Sequence, residues 1–269
     1  MDSLFARLQL ALAESDPEAK AAQAIAISQD LRAGSLAIDD QAQAPNPIED
    51  PGRPASPALV LPREVPSRGL GTVEGRAALL HAVAHIEFNA VNLALDAAYR
   101  FRGMPREFYL DWTGVAADEA RHFRLLRTRL EALGFRYGDF PAHNGLWEMA
   151  RKSAHSCLAR MALVPRLLEA RGLDVTPGMI ARFRALGDAD SVAVLETILE
   201  EEVGHVAIGS RWFGWCCERE GLDPADTFLQ LLRDVAKGAL RGPFNLEARR
   251  AAGFDEAEMS RLVELAAQQ

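Results

Sequence analysis

Two short patterns in this chain place a carboxylate and an imidazole three residues apart: Glu119-Ala-Arg-His122 and Glu202-Val-Gly-His205. Positions i and i+3 share one face of a helix, so each pattern aims both groups the same way. Apolar residues surround both: Trp112, Val115, Ala116, Phe123 and Leu126 for the first, Leu195, Ile198, Leu199, Val206 and Gly209 for the second. An unpaired carboxylate on such a core stripe costs several kcal/mol unless something compensates it. Two further glutamates stand on apolar stripes. Glu87 is flanked by Leu80, Val83, Ala84, Ala90, Val91 and Ala94, and Glu169 follows Leu167-Leu168, with Ala162 on its face.

The spacing pairs these residues. Glu87 and Glu119 are about as far apart as Glu169 and Glu202, so each half of the chain reads as a helical hairpin with one Glu, then one Glu-x-x-His. A bundle that binds two metal ions through carboxylates takes one Glu from each of two helices and one Glu-x-x-His from each of the others. Four carboxylates and two neutral imidazoles would be neutralised by two divalent cations, and an empty site would protonate through mutual repulsion. Oxygen and nitrogen donors without sulfur suit iron or manganese. The expected metal ligands are Glu87, Glu119, His122, Glu169, Glu202 and His205, and the expected cofactor is two iron ions, with manganese or a mixed iron–manganese pair as the alternative.

The helices that must position these groups are legible from caps and stops. Helix A is expected from Val73 to Arg102, B from Pro105 to Leu133, C from Leu146 to Arg171 and D from Asp188 to Glu220. Each is followed by glycine (Gly103, Gly134, Gly172, Gly221), and a short helix precedes Gly187. Shorter helices start at Asp223-Pro224, Asn245 and Asp255, and no segment reads as a strand. The N-terminal part is helical in two pieces, the second opened by Asp16-Pro17 and stopped by Gly34. Seven prolines between Gln41 and Gly71 forbid helix there. That stretch reads as an extended strap lying on the helical body, with Leu59, Leu61 and Val65 as anchors. The expected organisation is all-α: an N-terminal helical segment (1–40), the proline-rich strap (41–71), a four-helix bundle (72–221) and C-terminal helices (222–269).

A polar row on helix A, His81, His85, Asn89, Asn92 and Asp96, points away from Glu87 and reads as a hydrogen-bonded seam. A role in supporting the ligands or touching substrate stays open for His81 and His85. His85-Ile86-Glu87 matches the His-x-Glu of zinc deaminases, but their Pro-Cys-x-x-Cys is absent. His143 and His155 read as structural, Trp112 and Trp212 as core, and the row Arg121, Arg124, Arg127 and Arg129 as a solvated face. A net charge of -8 argues against a broad surface for nucleic acid. Three cysteines without Cys-x-x-Cys make neither a disulfide framework nor a thiolate metal site. No apolar run reaches membrane-span length, and Met1–Leu12 lacks the features of a signal peptide, so a cytoplasmic protein is expected.

These residues carry a resemblance. Over His81-x3-His85-Ile86-Glu87, Phe108-Tyr109-x-Asp111-Trp112, Asp118-Glu119-Ala120-Arg121-His122-Phe123 and Tyr137-Gly138-Asp139-Phe140-Pro141, the chain resembles the ferritin-like superfamily of di-iron carboxylate proteins. Glu169–Pro177, Glu202-x2-His205-Val206-Ala207-x-Gly209 and Gly242-Pro243-Phe244-Asn245 extend the match, which is stronger still to a bacterial branch of uncharacterised ferritin-like proteins. The resemblance implies the bundle and a di-iron centre, with di-iron tRNA hydroxylases as distant functional relatives. An oxygen-activating hydroxylase acting on a small molecule or an RNA base, fed by a separate electron donor, is the leading expectation. A metal-handling or peroxide-scavenging protein and a non-enzymatic helical interaction module are its rivals, and a homodimer stays open.

Overall fold

In the computed structural model, which describes residues 2–39, 44–235 and 240–267, the helix starts are the ones that capping chemistry demands. The Thr72 hydroxyl accepts from Gly75 N–H (3.0 Å) and opens α3 (Val73–Arg100), and Asp188 accepts from Ser191 N–H (3.1 Å) at the start of α8 (Ala189–Glu220). Gly221 ends α8 in the left-handed conformation (φ 67°) that a β-carbon disfavours. Among the described residues the chain is all-α, apart from a two-residue parallel pairing of β1 (Asp2–Ser3) with β2 (Leu36–Ala37) and one isolated bridge. It divides into two compact units, Met1–Arg151 and Lys152–Gln269.

In the first unit, α3 and α4 (Arg106–Ala132) form the central hairpin, and α1 (Leu4–Ala13) and α2 (Pro17–Arg32) pack against it. Among the described residues α3 is the helix long and apolar enough to cross a bilayer, and 78% of its apolar window is buried inside the protein, so it serves as a core helix. On α4, Arg127 pairs with Glu18 of α2 (2.9 Å), Arg124 meets the same carboxylate and Arg121 pairs with Asp118 (2.6 Å).

Of the proline-rich stretch, residues 41–43 lie outside the described residues. The remainder runs extended across the first unit, broken by one 3-10 turn at Pro62–Glu64. Backbone and side-chain hydrogen bonds fasten it: Gly52 N–H to Leu12 O (2.7 Å), Trp147 Nε1 to Glu49 O (2.7 Å), and Val60 N–H to Ala142 O (2.8 Å). The buried apolar anchors are Pro51, Pro57 and Leu70, whereas Leu61 is 50% exposed and Leu59 and Val65 are half-buried. Alternation of apolar residues misleads here because proline rings carry the buried contacts.

A lysine fixes the strap from below. Lys20, fully buried, donates to Gly52 O (2.6 Å), Asn92 Oδ1 (2.5 Å) and Leu12 O (3.3 Å). Burial lowers its pKa to about 7, against a smaller upward pull from Glu14. The unfolded chain therefore holds a proton that the folded chain lacks between about pH 7 and 10.5, and stability rises with pH across that window. Relative to Lys20→Met, the wild-type denaturation midpoint should climb over this range, by up to about 1.4 kcal/mol per pH unit. Parallel profiles of the two proteins in urea would refute the assignment.

In the second unit the expected helix C is not one helix. The first unit's α5 (Gly145–Lys152) stops before Ser156, which caps α6 (Cys157–Leu163) by accepting from Ala159 N–H (3.2 Å). Residues Val164–Glu169 then form a π turn, and α7 (Ala170–Ala185) continues through Gly172 and Pro177. Pro165 has no N–H to give the preceding turn, which favours the wider i→i+5 closure. Asp174, expected before a new helix, is instead held inside α7 by the Arg249 guanidinium (3.0 and 2.7 Å) and accepts from Asn245 N–H (2.9 Å). Among the described residues the unit also holds α9 (Pro224–Val235), α10 (Leu246–Ala251) and α11 (Glu256–Ala267). Rings of Phe213, Phe228 and Phe254 stack edge to face in sequence, with centroids 5.9 and 6.1 Å apart. Gly209 of α8 lies against Pro165, where any β-carbon would overlap the proline ring.

Candidate metal centre

The hairpin of the first unit buries three of the expected ligands together. Glu87 on α3 is 4% exposed, and Glu119 and His122 on α4 are fully buried. Their donor atoms lie within 4.8 Å of one another. The His122 ring meets both carboxylates through the same nitrogen: Nδ1 is 3.2 Å from Glu87 Oε2 and 3.5 Å from Glu119 Oε2. The i, i+3 spacing puts Glu119 and His122 on one face of α4, and the antiparallel hairpin brings Glu87 level with them.

This donor set fits a divalent cation. Two atoms bound to one ion at about 2.1 Å are at most about 4.2 Å apart, so small side-chain adjustments close the group onto a metal. Two carboxylate oxygens and an imidazole nitrogen are ligands for iron, manganese or zinc alike. Without metal, a proton does the cation's work. Burial alone would push the His122 imidazole down, but hydrogen bonding and charge from Glu119 and Glu87 outweigh it and raise its pKa to about 11. A ligand imidazole must be neutral, so metal binding at pH 8 should release this proton, about one per chain. Calorimetric titration in buffers of different ionisation enthalpy measures the release. His122→Gln should lose it, and equal release from both proteins would show that His122 is not the displaced acid.

In the second unit, Glu202 and His205 share one face of α8, with His205 Nδ1 3.5 Å from Glu202 Oε1. His205 is 3% exposed and the Glu202 side chain 12%. Glu169 is half-buried at the end of the π turn.

The two histidines of the polar row on α3 are turned to the loops of the first unit. His81 accepts from Gly138 N–H at Nε2 (2.9 Å), and its ring stacks on Tyr137 (5.3 Å, 22°). His85 Nδ1 lies 2.9 Å from the Tyr137 hydroxyl, and Nε2 lies 3.1 Å from His143 O. Nε2 also lies 3.0 Å from Asn89 Nδ2, so the ring tautomer sets which of these neighbours it donates to and which it accepts from. Burial lowers both imidazoles to about 4. Asn89 and Asn92 donate to the backbone of their own helix, and Asp96 takes Arg100 (2.7 Å). The gap between this row and the strap, about 10 Å³, has room for about one water. These partners make the row a seam, as its spacing suggests. Tyr137 also sits edge-on to Phe123 (5.0 Å), the residue after His122, so the seam reaches α4 beside the buried group.

Besides Arg249–Asp174, sequence reasoning missed a second buried pair in the second unit. Arg166, inside the π turn, donates from Nη2 to both carboxylate oxygens of Glu258 on α11 (2.8 and 2.7 Å). Each residue is 3% exposed. Burial pushes the Glu258 carboxyl above and the Arg166 guanidinium below their ordinary values, and each one's charge partly offsets the other's shift. The two residues are 92 positions apart, and no local pattern announces them.

Comparison with known proteins gives a family without an assigned activity. An uncharacterized protein of Haemophilus influenzae is 46% identical over 219 residues, covering 79% of this chain and 76% of that protein. No solved structure matches. The model of a family described as "Protein of unknown function (DUF455)" matches residues 13–260. With that much of its length matched and that relative, the chain belongs to the DUF455 family.

Proposed function

We propose that this chain is a dinuclear metal-carboxylate protein of ferritin-like architecture and that the loaded centre activates oxygen to oxidise an organic substrate. In this reading Glu87, Glu119 and His122 join Glu169, Glu202 and His205 around two iron ions, with manganese or a mixed pair as the alternative, and residues 72–221 form one four-helix bundle. The observation that carries it is the buried Glu87–Glu119–His122 group, an acidic set inside a hydrophobic hairpin that a cation would neutralise. The repeated Glu, then Glu-x-x-His, order in the second unit supplies the matching half.

Bound iron would supply the electrons and the open coordination positions for oxygen. The protein's own contribution is legible in its side chains. Glu119 and Glu87 hold negative charge where water is excluded, and His122 Nδ1 keeps a proton there until metal replaces it. In this reading the substrate is a small molecule or an RNA base and a separate protein donates electrons. The free thiols of Cys157, Cys216 and Cys217 suit a reducing cytoplasm.

The test is anaerobic loading with Fe(II), then exposure to oxygen under absorption and Mössbauer spectroscopy. Two irons per chain, oxidised together as a coupled pair, are expected. Iron uptake no greater than in a Glu119→Ala control would end the proposal. Rapid oxidation that ends in ferric mineral or only consumes peroxide would replace it with metal handling or peroxide removal.

A further inference from the structure

The π turn that ends in Glu169 is fastened more heavily than any helix of its length requires. Arg166 projects from it into a closed setting of rings. Its Cζ lies 4.8 Å from the centroid of Phe213 on α8, 4.5 Å from Phe228 on α9 and 4.5 Å from Phe254 between α10 and α11. Glu258, whose backbone N–H is capped by Asp255 (2.7 Å), takes the charge. Elements far apart in sequence thus converge on one side chain of one turn. On α8, Gly209 admits Pro165 one turn beyond His205, so the neighbouring residue of the turn is seated too.

The geometry of the turn explains what this achieves. At 3.6 residues per turn, positions 166 and 169 would stand about 60° apart on one face, where arginine and glutamate attract each other. The π turn lowers the rotation per residue and swings the two side chains apart. Glu258 then accepts the hydrogen bonds of the guanidinium. A carboxylate paired with its own arginine is a poor metal ligand, because the cation must displace that partner first.

We infer that Arg166 is a positioning residue: with Glu258 it holds the π turn open, directs its own charge away from Glu169, and so presents Glu169 as a ligand beside Glu202 and His205. The inference rests on the reading of Glu169 as a ligand given above.

Binding of Mn(II), followed by calorimetry and by the resonance of free Mn(II), separates the two ideas. Wild-type protein should take two equivalents. Glu169→Gln, with the Arg166–Glu258 pair intact, should keep the first and lose the second; two equivalents in this variant would overturn the ligand reading itself. Arg166→Met with Glu258→Leu replaces the ion pair by apolar groups among the same rings, and its metal-free form should melt at or above the wild-type. Its first equivalent should bind within threefold of wild-type and its second at least tenfold more weakly. A folded double variant that binds both equivalents like wild-type would overturn the positioning role. Should the double variant not fold, Glu258→Asp keeps the charge and shortens the reach. It should weaken only the second equivalent, by at least threefold, and unchanged binding would be equally decisive against the role. A merely structural role would lower the melting temperature or disturb both equivalents alike.

Discussion

Glu119→Ala and His122→Ala proteins are expected to fold and to bind metal at least a hundredfold more weakly than wild-type. Both side chains are fully buried, and each contributes a donor to the group whose atoms lie within 4.8 Å of one another. Removing even a residue that only orients a metal ligand costs about 10- to 100-fold in affinity, so removing a ligand sets that as a floor. The loss should not come from unfolding. In the metal-free protein Glu119 and Glu87 share the His122 imidazolium, and without Glu119 the imidazolium keeps Glu87 as its partner. The metal-free Glu119→Ala protein should therefore melt within about 2 kcal/mol of metal-free wild-type, the methylenes lost offsetting the charge removed. Elemental analysis after loading, with calorimetric melting of chelated samples, checks both halves. Wild-type metal content in the two variants would remove the metal centre from consideration.

The second large effect belongs to Gly209→Ala. Alanine is the better helix former by about 1 kcal/mol, and at the exposed Gly204, five residues earlier on α8, nothing lies within 4 Å of a new β-carbon. Gly204→Ala should accordingly raise stability slightly. At Gly209 the same methyl group would overlap the ring of Pro165, which is rigid and cannot turn aside. Overpacking of this kind costs about 1–3 kcal/mol, and at about 2–4 °C per kcal/mol the melting temperature should fall by several degrees. Because the overlap lies between α8 and the π turn, the second metal equivalent should weaken as well. Gly209→Ala melting together with Gly204→Ala, above wild-type, would show that α8 and the π turn are free to separate.

Those two glycines mark what one-dimensional reading can and cannot reach. Helix starts at Thr72 and Asp188 and the stop at Gly221 were legible because capping is local: the residues that satisfy a helix end lie within a turn of it. The grouping of Glu87, Glu119 and His122 was legible because a carboxylate–imidazole pair and a lone glutamate on apolar stripes are expensive without a purpose. The course of the chain from Gly145 to Ala185 was not. Gly172 and Pro177 are stop signals in isolation, yet the helix runs through them, with Asp174 held there by Arg249 and Asn245 from more than 70 residues away. The π turn gave a faint hint in Pro165, but its partner Glu258 is visible only in three dimensions. Along the strap, Leu61 looked like an anchor by hydropathy. The true anchors are Pro51 and Pro57 and a glycine, Gly52, that leaves room for the end of α1, none of which a hydrophobic count ranks highly.

The stack of His81, Tyr137 and His85 also bears on how any future rate profile is interpreted. An inflection near pH 6 to 7 is habitually assigned to a histidine. Here burial holds His81 and His85 at about 4, and Glu119 and Glu87 hold metal-free His122 at about 11. None of the three changes charge near neutrality. The buried amine of Lys20, at about 7, does, and it sits beneath the strap on Asn92 and Gly52. A kinetic step that titrates near neutrality would therefore raise Lys20 and the strap as its source before any of these imidazoles, and Lys20→Met would be the first variant to put through the profile.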